Sequence, residues 1–190
     1  MTRGFCPACL KPPVTCYCAG LRPFRASLRF LILTHPAERR KAINTGRMAS
    51  LSLLNSVQRY GVSFHDDPVV QTLLGGEEEA WLLWPDGGGE SRPGGPAATG
   101  TVVVLDGTWS TARTMLRENP VLQQLPRLPL DPARPSAYAI RRQPDPRCLS
   151  TIEAIHQLLE AGGQDPHCGR LMTLFRSMVM AQLEFAAHPP

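Results

Sequence analysis

The run Thr101-Val102-Val103-Val104-Leu105 does most to narrow what this chain folds into. Five consecutive β-branched or aliphatic side chains cannot alternate between core and water. The run therefore reads as a strand buried on both faces, the habit of a parallel sheet. It stops at the turn pair Asp106-Gly107. Ser110 to Asn119 then reads as a helix, with Thr108 or Ser110 to cap its start and Asn119-Pro120 to end it. The carboxylate of Asp106, the hydroxyl of Thr108 and the indole of Trp109 are thereby placed where a buried strand ends and a helix begins. In open α/β sheets that is where ligands bind. The same residues also suit a plain turn, with Asp106 and Thr108 as caps and Trp109 in the core.

The rest of the chain repeats this alternation. Leu28 to Leu33 reads as a strand ending at Thr34-His35-Pro36. A helix is expected from about Arg47 to Gln58, because Met48, Leu51, Leu54 and Val57 recur every three residues. Ala80 to Trp84 reads as a short strand closed by Pro85. The Gly- and Pro-rich stretch from Asp86 to Ala98 reads as a loop, without the helix start that a phosphate cradle needs. Prolines 126 and 129 forbid a long helix after Pro120. Tyr138 to Arg142 suits a short strand, and Pro144 to Arg147 a loop. Ser150-Thr151-Ile152-Glu153 is a capping-box pattern opening a helix that Gly162-Gly163 ends. Ser150 and Glu153 there serve to start the helix, and a helix start with free amides is also a site for a carboxylate or polar ligand. His167 to Ala186 completes the chain as an amphipathic helix. Strands alternating with helices predict an α/β fold with a mostly parallel sheet and flanking helices.

Four cysteines stand apart from this pattern. Cys6-x2-Cys9 and Cys16-x-Cys18 place four thiols within thirteen positions, in a segment that Pro7, Pro12 and Pro13 keep from becoming a helix. Four thiolates complete a tetrahedral shell, which suits zinc and leaves no open position, so the role would be structural. Free buried thiols and a redox pair are the competing readings. Residues 1–24 are read as this zinc-binding element and residues 25–190 as the main domain. Cys148 and Cys168 read as small buried hydrophobes.

Charge adds a second surface. Arg39, Arg40, Lys41 and Arg47 crowd the end of the first strand and the start of the next helix. They form either a solvated face or a patch that contacts phosphate. The net charge of +4 is compatible with a nucleic-acid partner. No apolar run approaches the roughly 20 residues of a membrane helix, and no apolar leader opens the chain. These features predict a cytoplasmic protein, in which cysteines are thiols or metal ligands rather than disulfides.

Asp106-Gly107-Thr108-Trp109 resembles the D-x-T-W signature of the DTW-domain family. The four N-terminal cysteines, His35-Pro36-Ala37-Glu38 with Asn44-Thr45-Gly46, Tyr138-Ala139-Ile140-Arg141 and Leu149-Ser150-Thr151-Ile152-Glu153-Ala154 match it in the same order. The resemblance implies a SPOUT-like fold with a C-terminal trefoil knot. It also implies transfer of the aminocarboxypropyl group of S-adenosylmethionine to N3 of an unpaired uridine in tRNA, with methylthioadenosine released. Asp106 and Trp109 would then be catalytic. Leu105, Gly107, Thr108, Arg141, Leu149, Ser150, Thr151, Glu153 and Ala154 would bind the donor. His35, Arg39, Arg40, Lys41, Asn44, Thr45 and Arg47 would contact RNA. Monomer and dimer are both open. A SPOUT-type RNA methyltransferase with the same donor is the alternative enzyme, and a zinc-bearing RNA-binding protein the non-catalytic one.

Overall fold

The computed structural model describes residues 4–39, 41, 43–84, 100–130, 136–138, 140 and 148–187. At its centre lies β4 (Thr101–Asp106), flanked by β1 (Arg29–Thr34) and β3 (Ala80–Leu83). The edge strands β2 (Ser56–Tyr60) and β5 (Arg127–Leu128) complete a five-stranded sheet of order β2-β1-β4-β3-β5, in which every pairing is parallel.

Helices cover both faces, and this is why the central strands are apolar throughout. Phe30, Ile32, Val102 and Val104 face α1 (Thr45–Ser52), α5 (Thr151–Gly162) and α6 (Gly169–Ala187), where they meet Met48, Ile155 and Phe175. Leu31, Leu33 and Val103 face the other way, onto Val70 of α2 (Pro68–Leu74), Met115 of α3 (Trp109–Arg117) and Leu122 of α4 (Pro120–Gln123). Each such side chain, fully buried, contributes about 1.5–3 kcal/mol of transfer free energy. The N-terminal cysteine segment packs on the first of these cores through Cys9, Tyr17 and Phe24. Among the described residues no helix is long and apolar enough to cross a membrane.

Two expectations need correction. The helix anticipated through Gln58 ends at Ser52, and Val57 and Gln58 lie in β2. Asn55 makes the break: its side chain bonds Ala26 and Leu28, which fixes the chain for pairing with β1. Tyr138 and Ile140 lie in no strand. No long helix follows Pro120, as expected: α4 ends at Gln123, and Pro126 is followed by the short strand β5, which pairs with β3. The loops expected over Asp86 to Ala98 and Pro144 to Arg147 lie outside the described residues.

Candidate active site

The sheet order creates a switch point between β1 and β4. From β1 the chain leaves through α1 on one face to the neighbouring β2; from β4 it leaves through α3 on the other face toward β5. Connections that part in this way open a crevice at the strands' carboxyl ends. Those ends are Thr34 and Asp106, paired in register, and the His35 N–H donates to the Asp106 carbonyl at 2.9 Å.

Asp106 is 6% exposed, and its carboxylate lies between two helix starts. Thr151, the first residue of α5, donates its hydroxyl to Asp106 Oδ1 at 2.6 Å. Gly46, in the first turn of α1, abuts the same carboxylate so closely that a Cβ there would lie 2.6 Å from Asp106 Cγ. Helix amino termini carry partial positive charge, so both support a negative group at this place. Around Asp106, Leu105, Gly107, Thr108, Trp109, Cys148, Leu149 and Thr151 are half-buried.

Thr108 is the N-cap of α3, accepting from Thr111 N–H at 3.3 Å. Trp109 opens that helix. Its Nε1–H donates to Cys148 Sγ at 3.1 Å, and its ring meets Trp84 edge-on with centroids 5.7 Å apart. The indole thus ties the start of α3 to the segment entering α5. Ser150 is the N-cap of α5, and Ala154 lies half-buried within its first turns. The Glu153 carboxylate accepts four hydrogen bonds: from Ser150 N–H (2.9 Å), Ser150 Oγ (2.6 Å), Ser136 Oγ (2.8 Å) and Ala137 N–H (2.6 Å). Of its two sequence readings, capping is the one the geometry displays. It also pins residues 136–137 to the helix start.

The basic segment is partly committed to structure. Asn44 caps α1, accepting from Arg47 N–H at 2.6 Å and donating to the Glu38 carbonyl at 3.0 Å. Thr45 is buried, and His35 Nδ1 accepts from Ala37 N–H at 3.2 Å. Lys41 pairs with the buried Glu38 at 2.5 Å. Arg47 donates to Tyr60 Oη at 2.7 Å and to the Ala8 carbonyl at 3.2 Å. The guanidinium carbons of Arg39 and Arg47 both lie 5.6 Å from the Tyr60 ring centroid. Tyr60 ends β2, and burial raises its phenol above the ordinary value. Arg40 and Arg141 lie outside the described residues.

The four Sγ atoms of Cys6, Cys9, Cys16 and Cys18 lie within 4.8 Å of one another, with Cys6–Cys18 and Cys9–Cys16 each at 3.6 Å. Tetrahedral zinc with Zn–S bonds of about 2.3 Å requires sulfur pairs about 3.8 Å apart, so the set can hold such an ion. The knuckle closes through Leu10 N–H to the Cys6 carbonyl (2.8 Å), with Leu10 in the left-handed region at φ 57°. The backbone N–H groups of Cys9 and Ala8 pull the Cys6 thiol down to about 6, whereas burial pushes those of Cys9 and Cys18 up. Lys11, 4% exposed, adds a buried ammonium beside Cys9; burial brings it down to about 8.

Several residues here escaped sequence reasoning. Gly46 was read only within the stretch Asn44-Thr45-Gly46, and its contact with Asp106 is non-local. Tyr60 was passed over just beyond the expected helix, where the structure has the end of β2. Trp84 and Arg127 were read only as parts of an apolar strand and a proline-rich stretch. The Arg127 guanidinium carbon lies 5.7 Å from the Trp84 ring centroid.

A family model described as the DTW domain matches residues 3–183. A protein of Drosophila melanogaster named tRNA-uridine aminocarboxypropyltransferase 2 is 34% identical over 173 residues, covering 83% of this chain and 66% of its own length. Proteins of the same name from Macaca fascicularis and Mus musculus are 29% and 28% identical, each over 80% of this chain and 54% of their own length. The chain therefore spans between half and two thirds of the length of these relatives. No solved structure matches it. The match runs from the cysteine knuckle through the Asp106 crevice into α6, and the chain belongs to the DTW-domain family.

Proposed function

We propose that this chain transfers the aminocarboxypropyl group of S-adenosylmethionine to N3 of an unpaired uridine in tRNA. The observation that carries the reading is the placement of the family's signature aspartate, Asp106, at the switch point of a parallel sheet, held by Thr151 and walled by Gly46. The donor supplies a sulfonium whose departure breaks the bond to the three-carbon chain. Uridine N3 forms the new bond to that carbon, its proton is lost, and methylthioadenosine leaves.

The chain's own residues then have separable duties. Asp106 accepts the N3–H, as proton acceptor or as anchor for the uracil edge. Its burial between two helix starts fixes its direction, and orientation of this kind is worth several orders of magnitude in rate. Trp109 offers a half-buried ring for stacking on the uracil or on adenine. Leu105, Gly107, Thr108, Leu149, Ser150 and Thr151 line the donor crevice, where the first N–H groups of α3 and α5 lack intrahelical partners. Ala154 packs behind them, and Glu153 holds the crevice's rim in place. Arg141 takes the donor carboxylate or an RNA phosphate.

Arg39, Arg40, Lys41 and Arg47 would meet the RNA backbone, with His35, Asn44 and Thr45 shaping that surface. Such contacts position the RNA without reading its sequence and weaken with salt. The target uridine must be unpaired to reach the crevice. The cysteine knuckle, residues 1–24, is proposed to hold structural zinc, with residues 25–190 as the catalytic domain. The same reading places the protein in the cytoplasm. It takes the fold as SPOUT-like and knotted, with the segment entering α5 passing behind β4. The bond between Thr151 and Asp106, which joins those two elements, supports it.

The test is incubation of the purified protein with S-adenosylmethionine and unmodified tRNA, followed by mass spectrometry of nucleosides and small products. Aminocarboxypropyluridine with methylthioadenosine supports the proposal. Methyluridine with adenosylhomocysteine would assign the methyltransferase instead. RNA binding with neither product would leave the non-catalytic reading.

A further inference from the structure

Tyr60 ends β2, Thr34 ends β1 and Asp106 ends β4, and the strand pairings set the three side by side. Side chains alternate between faces along a strand, so paired positions share one. Here it is the face that α1 covers. Gln58, two residues before Tyr60, donates to Thr34 Oγ1 at 2.8 Å, and the neighbours Gly46 and Arg47 of α1 meet Asp106 and Tyr60 respectively. Adjacent strands lie about 4.8 Å apart, so Tyr60 stands roughly 10 Å from Asp106 along the carboxyl edge of the sheet. Burial raises the Tyr60 phenol; Arg47 and Arg39 oppose the rise, and the charge of Asp106 adds to it.

Tyr60 is half-buried and gathers two cations. Arg47 Nη2 donates to its Oη at 2.7 Å, and the guanidinium carbons of Arg39 and Arg47 each lie 5.6 Å from its ring centroid. Arg39 is exposed and Arg47 half-buried, so both are open to solvent. Lys41 is paired with Glu38, whereas no described carboxylate lies at ion-pair distance from Arg39 or Arg47. Two like charges gathered on one ring repel each other. An oxyanion between them relieves that repulsion and accepts from both guanidinium forks.

We propose that Tyr60 is a positioning residue that holds Arg39 and Arg47 as a clamp for a backbone phosphate of the RNA entering the Asp106 crevice. This inference rests on the transferase reading above and deepens it. The carboxylate of the donor is the other source of such an oxyanion. The exposure of Arg39 and the place of the clamp on the edge strand favour RNA. A uracil drawn into a pocket leaves its sugar and phosphate at the rim, and the rim on the β2 side of Asp106 is where Tyr60 and its arginines stand.

The test is a double-mutant cycle on affinity for unmodified tRNA, using R39M, Y60L, the two combined, and the conservative Y60F. R39M should weaken tRNA binding about tenfold, the worth of a charge-assisted bond. It should also lower the slope of log affinity against log salt by about 0.7–0.9, the loss of one phosphate contact. In the Y60L background the same change should cost less than about threefold, because Arg39 is no longer held there. Y60F keeps the ring and should fall between wild type and Y60L. Calorimetric affinity for S-adenosylmethionine should be the same in every variant. An equal cost of R39M in both backgrounds would overturn the role of Tyr60. Lost donor affinity with tRNA affinity retained would give the clamp to the donor carboxylate and overturn the RNA assignment. Loss of both ligands in Y60L and Y60F alike would mark Tyr60 as structural and overturn it too. Wild-type protein that shows the coupling yet forms no aminocarboxypropyluridine would overturn the transferase reading and leave the clamp standing.

Discussion

The hydroxyl of Thr151 donates to the carboxylate of Asp106 across 2.6 Å, joining the first residue of α5 to the last residue of β4. These residues are 45 positions apart in sequence. Their bond sets the direction of the buried Asp106 carboxylate at the switch point. Thr151→Val keeps the shape and removes the donor. It should cost about 1–3 kcal/mol of stability in urea unfolding and lower transfer. Thr151→Ser should restore most of both. A valine variant with normal rate and stability would show that the bond contributes nothing.

Asp106→Ala should abolish transfer while leaving affinity for tRNA nearly unchanged, as read by filter binding beside the product assay. Loss of both together, with an altered circular dichroism spectrum, would instead assign Asp106 a folding role.

Gly46→Ala places a methyl against the Asp106 carboxylate, with its Cβ 2.6 Å from Cγ. Either the carboxylate or α1 must move, so activity should fall sharply and stability by about 1–3 kcal/mol. Gly162→Ala is the control, because nothing lies within 4 Å of its added Cβ. It should leave activity unchanged and hold or raise the melting temperature.

Asp67 caps α2, accepting from Val69 and Val70 N–H at 3.0 and 3.2 Å and pairing with Arg59 at 2.6 Å. Burial works to raise its carboxyl, but the bonds from Arg59 and these amides outweigh burial and hold it below its usual 3.8. Because the folded value is depressed, the stabilisation is fully present above the unfolded value. It is lost as pH falls through the folded one. Asp67→Asn keeps a capping oxygen and removes the charge. The wild-type advantage over this variant should therefore be seen at pH 7 and be lost as pH falls below 3.8 and through the depressed folded value. An advantage independent of pH would contradict the assignment.

Cys6→Ser with Cys9→Ser should lower metal content, measured by atomic emission, from one zinc per chain to near zero, and lower the melting temperature. Arg47 binds the knuckle at the Ala8 carbonyl, so loosening the knuckle should also weaken RNA affinity. Unchanged metal content in the double variant would sink the zinc assignment.

What the sequence revealed was local. Thr101 to Asp106 announced a buried parallel strand because both of its faces are apolar. Ser150 and Glu153 announced a helix start, and the four cysteines a metal-sized cluster. What stayed hidden depended on distant partners. Met48, Leu51, Leu54 and Val57 fit a helical stripe, yet Leu54 is 64% exposed and Val57 pairs with Leu31. Arg127 lies in a two-residue strand defined by its pairing with β3. Glu153 looked available for a ligand until residues 136–137, whose return to α5 no local pattern encodes, filled its acceptors.

On the proposed transferase reading, the crevice directs the three-carbon chain of the donor, rather than its methyl group, at uridine. The most direct measurement uses two preparations of S-adenosylmethionine, one labelled in the methyl carbon and one in the aminocarboxypropyl carbons. Each is incubated with unmodified tRNA and either the wild-type protein or Asp106→Ala. Label should enter RNA only from the aminocarboxypropyl carbons and only with wild-type protein. Label entering from the methyl carbon, or incorporation that persists without Asp106, would contradict the account.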